Sequence, residues 1–207
     1  MYLEARQTVL DACRELADRG YLPGTGGNIA ARASKEWMAI TPSGCDYYTM
    51  TVDDICLVDL TTDQKTFGER KPSVEVGIHR RLLVFRPDFD ASIHTHQPVA
   101  SAATLLGQPL PIERPKDRQR LGPYAPLVGY APSGTGMLAN KFGKALRQEL
   151  SAYLLRNHGI VCGGATMRDA IENVGRLERA AKDYLIKAMA RQPAAELRER
   201  MVASLDA

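Results

Sequence analysis

His94-Thr95-His96 closes a short apolar run, Ala91-Ser92-Ile93, and a third histidine lies far downstream in Arg156-Asn157-His158-Gly159. The run reads as a β-strand, on which side chains at i and i+2 leave the same face. Two imidazoles then point at one place, as chelation of a divalent metal requires. Neutral imidazole suits zinc, iron, manganese or nickel, and three histidines leave a position open for substrate or water. The residues alone leave two readings open. HxH by itself is more often a fortuitous pair than a ligand pair, and spacing does not decide whether His158 reaches it. The remaining histidine of the four, His79, reads as a partly buried residue on a helix face.

A second group of residues could hold an anion. Gly26-Gly27-Asn28, Ser43-Gly44 and Lys71-Pro72-Ser73 are small polar loops. Glycine lets the backbone approach an anion closely, and bare N–H groups with Ser and Asn side chains can ring a phosphate. Singly, each is an ordinary turn; the loops argue for phosphate only if they converge. Ser73 falls at the start of a helix predicted over 74–85, where the helix dipole adds attraction. Glu75 follows in the first turn. From the residues alone it reads as a charge complementing that dipole, with a general acid/base beside the metal as the other reading.

These residues need elements to position them. Leu3 to Gly20 reads as an amphipathic helix, with Val9, Leu10, Cys13, Leu16 and Ala17 at helical spacing. Strands are expected at 29–32, 37–41 and 55–60, with a polar hairpin turn near Asp63. The histidine strand spans 91–95, and a short helix spans 98–106 with Pro98 in its first turn. Residues 108–135 carry half of the twelve prolines and read as irregular loops around a strand at 127–131. A helix over 137–150, strands at 152–155 and 160–162, and a long helix over 167–190 follow. Thr166-Met167-Arg168-Asp169 gives that last helix a capping-box-like start. The pattern predicts an α/β fold with a central, mostly antiparallel sheet sandwiched between helix layers. A single domain over 1–207 is expected, with 191–207 as a mobile helical tail.

The totals narrow the function classes. At 207 residues the chain can bury a sizeable core. A net charge of +3, from 27 Lys and Arg against 24 Asp and Glu, gives no case for nucleic acid or a membrane surface. No run approaches the ~18–20 apolar residues of a membrane span, and the N-terminus lacks a signal-peptide apolar core. Four cysteines without CxxC spacing fit reduced thiols and a cytoplasmic location.

The order of the pieces carries more than any one of them. Gly24-Thr25-Gly26-Gly27-Asn28, Thr41-Pro42-Ser43-Gly44, Pro72-Ser73-Val74-Glu75 with His79, His94-Thr95-His96, Tyr130-Ala131-Pro132-Ser133-Gly134-Thr135 and Asn157-His158-Gly159 follow one another along the chain. This succession resembles the class II aldolase/adducin family, closest in motif order to its L-fuculose-1-phosphate aldolase-like members, over residues 5–186. The resemblance implies a divalent metal, most often Zn2+ with Mn2+, Fe2+, Co2+ or Ni2+ as alternatives, on His94, His96 and His158. It implies Glu75 as a further ligand and as catalytic base or acid. It implies a phosphate site at Gly27, Asn28, Ser43, Gly44 and Ser73. It also implies a homotetramer with active sites at subunit interfaces.

The reaction so implied is cleavage of a phosphorylated ketose through a metal-stabilised enediolate. Dehydration or decarboxylation of a related sugar phosphate is the alternative, with 4-epimerisation behind it. A non-catalytic adducin-like module is disfavoured because all three metal histidines are retained. One departure stands out. The proton-donating tyrosine expected about nineteen residues after the histidine pair, by that resemblance, is Pro115 here, in a charged segment with Arg114, Lys116, Arg118 and Arg120. Those cations suit either an anion contact or a solvated interface loop.

Overall fold

The computed structural model describes residues 1–62, 65–191 and 194–205. Helix α1 (Leu3–Asp18) is followed by strands β1 (Asn28–Arg32), β2 (Trp37–Ile40), β3 (Cys56–Asp59) and β4 (Lys65–Phe67). Then come α2 (Val76–Phe85), β5 (Ala91–Thr95), α3 (Pro98–Ala103), β6 (Leu110–Pro111), α4 (Pro115–Leu121), β7 (Tyr124–Ala125) and β8 (Leu127–Val128). The chain continues through α5 (Gly136–Ala145), β9 (Ala152–Leu155), β10 (Gly159–Gly164), α6 (Met167–Arg191) and α7 (Ala194–Leu205).

Eight strands form one sheet in the order β4-β3-β2-β1-β5-β10-β9-β8, and β6 pairs with β7 apart from it. Every pairing in the large sheet is antiparallel except β8 with β9. Helices cover both faces. One core packs α1 and α6 against Ile29, Ala31, Ile93 and Cys162, and the other packs α2 and α5 against Ala30, Met38, Ile40 and Val161. Alternation along β1 and β5 sorts residues between the two cores. Ile93 faces the α1/α6 side, so Ser92 and His94 face α2.

The expected sandwich of helices around a mostly antiparallel sheet is the observed architecture. The differences lie at its margins. Residues 108–135 are not all irregular: Pro115 opens α4, its fixed φ and missing N–H suiting a first helical position, and Gly122 closes it at φ 96°. The helix predicted to run to 150 ends at Ala145, the strand predicted to reach 131 ends at Val128, and β4 was not expected. The hairpin turn near Asp63 lies outside the described residues. So do parts of the tail at 192–193 and 206–207, whereas α7 runs for three turns within it.

Candidate active site

The centre of the sheet builds the site through its register. Asn28 on β1 and Val161 on β10 both stand opposite His94 on β5. Asn28 is therefore the cross-strand neighbour of His94, and its side chain shares the α2 side. His96 lies just past the strand end, yet its ring comes within 4.7 Å of His94, centroid to centroid. The β9–β10 hairpin brings the third histidine. Asn157 takes a left-handed conformation, φ 53°, that an asparagine tolerates better than most residues. The next residue, His158, projects onto the end of β5, its ring 4.7 Å from His94 and 5.1 Å from His96. One ring nitrogen from each of the three lies within 4.8 Å of the other two.

Glycines let the segments approach. A Cβ on Gly159 would stand 2.5 Å from the Thr95 carbonyl oxygen, 2.7 Å from His96 Cδ2 and 3.2 Å from His94 Cε1. A Cβ on Gly26 would stand 2.8 Å from His96 Nδ1. The histidine rings thus rest against bare backbone on two sides.

Glu75 completes the group. It is not in the first turn of α2 but at its N-cap, where its side chain makes no capping hydrogen bond. The carboxylate turns inward instead, with Oε2 3.2 Å from His94 Nε2 and Oε1 3.4 Å from His158 Nε2. Asn28 Nδ2 donates to Oε2 at 2.9 Å and Ser133 Oγ donates to Oε1 at 2.8 Å. Glu75 is 5% exposed. Burial pushes its carboxyl up. The His94 ring, the Asn28 amide, His158 and Ser133 outweigh that and hold it below the usual carboxylate range. The reading of Glu75 as a charge serving only the helix dipole does not fit this orientation.

The imidazoles suit a metal. Burial pushes His94 well below its ordinary value against the pull of Glu75, and burial with His158 pushes His96 down, so both rings are neutral near pH 7. His94 Nδ1 lies 2.8 Å from the Ile160 carbonyl oxygen, which can only accept. The proton therefore sits on Nδ1, and Nε2 presents its lone pair to His96 Nε2, 2.9 Å away. Ligand nitrogens at about 2.0–2.1 Å from a tetrahedral zinc stand about 3.3 Å apart. Three imidazoles and a carboxylate at these separations fit a divalent first-row metal.

The three polar loops converge. Ile29 N–H donates to Thr41 Oγ1 at 3.2 Å and Thr41 N–H donates to the Ile29 carbonyl at 3.1 Å. Ser43 N–H donates to Lys71 and Ser73 N–H to Thr41, so Pro42 and Pro72 form a bridge between loops. Tyr47 ties in the first loop by donating to the Gly27 carbonyl at 2.6 Å. Gly27 and Gly44 take positive φ, 83° and 65°, as such turns require. Asn28 and Ser73 are buried, and Ser43 and Gly44 are exposed.

Sequence reasoning gave no role to three residues that the structure brings to the site. Ser133 was quoted only as part of a motif, and Ser92 as part of a strand. His79 is fully buried rather than partly buried, and it lies between Ser92 and Asn28. Its spacing held a signal, because it stands one helical turn after Glu75. Ser92 stands two residues before His94, on the same strand face. The cations of the 114–120 segment are structural in part. Arg114 pairs with Asp183 and Arg120 with Asp169, both on α6.

A fold of this topology with this buried metal-type centre defines a class. The family profile described as Class II Aldolase and Adducin N-terminal domain matches residues 7–185, and the chain belongs to that family. It is 32% identical to the 5-methylthioribulose-1-phosphate/5-deoxyribulose-1-phosphate aldolase of Rhodospirillum rubrum, over 86% of this chain and 79% of that one. It is 30% identical to the L-fuculose phosphate aldolase of Escherichia coli O6:H1, over 96% of this chain and 90% of that one. Among solved structures, an L-fuculose 1-phosphate aldolase superposes with a TM-score of 0.83 at 29% identity, covering 97% of this chain and 95% of the other.

Proposed function

We propose that the chain is a zinc-dependent aldolase that cleaves a phosphorylated ketose, of the class named for its relatives: a 5-deoxyribulose or fuculose phosphate. The observation that carries this is the buried Glu75 carboxylate facing the His94 and His158 imidazoles, with His96 in the same cluster.

His94, His96, His158 and Glu75 would hold the metal, which when bound would supply Lewis-acid stabilisation of negative charge on the substrate oxygens. Glu75 handles the proton on the carbon that acts as nucleophile. In the synthetic direction it removes that proton; in cleavage the hydroxyl that becomes the aldehyde oxygen gives its proton to solvent water, the C–C bond breaks, the electron pair moves toward the carbonyl oxygen, and Glu75 returns a proton to carbon. Withdrawal of Asn28 or Ser133 from the carboxylate leaves burial to raise its basicity. The Gly27–Asn28, Ser43–Gly44 and Ser73 loops hold the phosphate and fix the reacting carbons. Val74, Tyr130 and Met137 flank Glu75 and Ser133 in sequence and are 61%, 50% and 58% exposed. These apolar side chains favour a homotetramer whose active sites lie at subunit interfaces. Four free cysteines suit a reducing cytoplasm.

Position 115 supports keeping a second reaction in view. Pro115 stands at the start of α4, where the aldolase resemblance calls for a tyrosine. Dehydration or decarboxylation of a related sugar phosphate uses the same charge stabilisation without that donor. A panel of pentulose, 6-deoxyhexulose and tetronate phosphates, assayed with zinc-loaded protein, separates the outcomes. Aldehyde release with a triose phosphate supports the aldolase. Water loss or carbon dioxide release without aldehyde overturns it in favour of the second reaction.

A further inference from the structure

Behind the carboxylate runs a buried file of polar groups that joins strand to helix to strand. His79 Nδ1 lies 2.7 Å from Ser92 Oγ, His79 Nε2 lies 2.6 Å from Asn28 Oδ1, and Asn28 Nδ2 reaches Glu75 Oε2. His79 and Ser92 are 0% exposed. Each contact dictates the next. An ionised carboxylate only accepts, so the nitrogen of the Asn28 amide must face Glu75. The amide oxygen then faces His79 and also only accepts, so the His79 proton sits on Nε2. Burial pushes His79 down to about 4, so the ring is neutral and Nδ1 is left as an acceptor for the Ser92 hydroxyl. A flipped amide would set its oxygen against the carboxylate and its nitrogen against a donor.

We propose that His79, seated by Ser92, is a positioning residue that locks the Asn28 amide in one orientation and thereby holds Glu75 beside His94 and His158. The inference rests on the reading of Glu75 and the three histidines as a metal centre. It assigns His79 no contact with substrate or metal. Groups that orient a metal ligand typically affect affinity by about 10–100-fold when removed.

Cobalt(II) titration of the metal-free protein, followed by visible absorption, tests this without any turnover assay. Asn28→Leu and His79→Leu are each expected to weaken cobalt binding by about 10–100-fold. The Asn28→Leu/His79→Leu double variant should bind no more weakly than Asn28→Leu alone, because His79 acts through Asn28. His79→Gln, whose amide nitrogen can stand in for Nε2, should recover most of the loss. Multiplied losses in the double variant, or equal losses for His79→Gln and His79→Leu, would show that the ring only fills space and overturn the proposal. If His79→Leu does not fold, Ser92→Ala replaces it, expected to weaken binding in the wild-type background and to be silent beside Asn28→Leu. Equal effects in both backgrounds contradict the inference. Wild-type protein that takes up no cobalt would remove the metal reading itself, and this inference with it. Tight wild-type binding that His79→Leu leaves unchanged would remove the positioning role alone.

Discussion

In the proposed reaction Glu75 handles the proton, and its surroundings make the expected outcome specific. Glu75→Gln keeps the shape and loses the charge and the proton-transfer capacity. Turnover should fall by about 10²–10⁴-fold, the range of a general acid–base contribution, with the circular-dichroism spectrum unchanged. Full turnover in that variant would remove Glu75 as the base. The sequence showed a carboxylate at the head of a helix and could not show which way it turned. Its direction depends on Asn28 and Ser133, which lie 47 and 58 residues away in the chain. His94 and His96 were legible as a pair because the strand period is local. His158 was not, because its approach depends on β10 pairing with β5.

At the scale of elements, the β9–β10 hairpin and the α4–α6 contact play separate parts. Gly159→Ala drives a methyl group into the end of β5 and the rings of His94 and His96. Such overpacking costs about 1–3 kcal/mol, and cobalt affinity should fall together with the melting temperature. Lower stability with unchanged cobalt affinity would mean that the hairpin does not set the ring positions. Asp117 on α4 is buried and meets Arg179 at 3.2 Å and Arg176 at 3.6 Å, both on α6. Asp117→Ala removes the carboxylate that Arg179 meets and leaves Arg176 to its Glu172 pairing; it should cost about 1–3 kcal/mol, lowering the melting temperature by several degrees. Cobalt affinity should be unchanged, since α4 is joined to α6 and not to the histidines; a shift in both would join α4 to the histidine cluster.

The long helices and strands β1, β2, β3, β5, β9 and β10 were legible from local periodicity, β5 at its observed bounds, whereas β4, β6 and β7 were not. Helix α4 was not, because a proline and charges dominate its seven residues and its charge partners on α6 lie 49 to 62 residues on. The three small polar loops were visible as turns. Their convergence depends on Thr41, whose backbone and hydroxyl join two of them.

The whole molecule buries neutral histidines at its centre, and this gives the metal-free protein a defined response to acid. His79 is pushed from an ordinary 6.5 to about 4 by burial. Between those values the unfolded chain binds the proton and the folded chain does not, so stability is present above about 6.5 and is lost as pH falls toward 4. For His79 the full term is ~3 kcal/mol. Urea titrations of metal-free protein at pH 7, 6, 5 and 4 should show declining stability, and His79→Gln should flatten the slope in that window. An unchanged slope would mean that His79 does not titrate between those limits. No described helix is long and apolar enough to cross a membrane.

Aldehyde release from a phosphorylated ketose substrate, followed before chelation, after EDTA, and after stepwise return of zinc, tests the proposed metal-dependent cleavage most directly. Activity should vanish with EDTA and return in proportion to zinc, saturating at one ion per chain. Full activity in protein shown by elemental analysis to hold no metal would contradict the central claim.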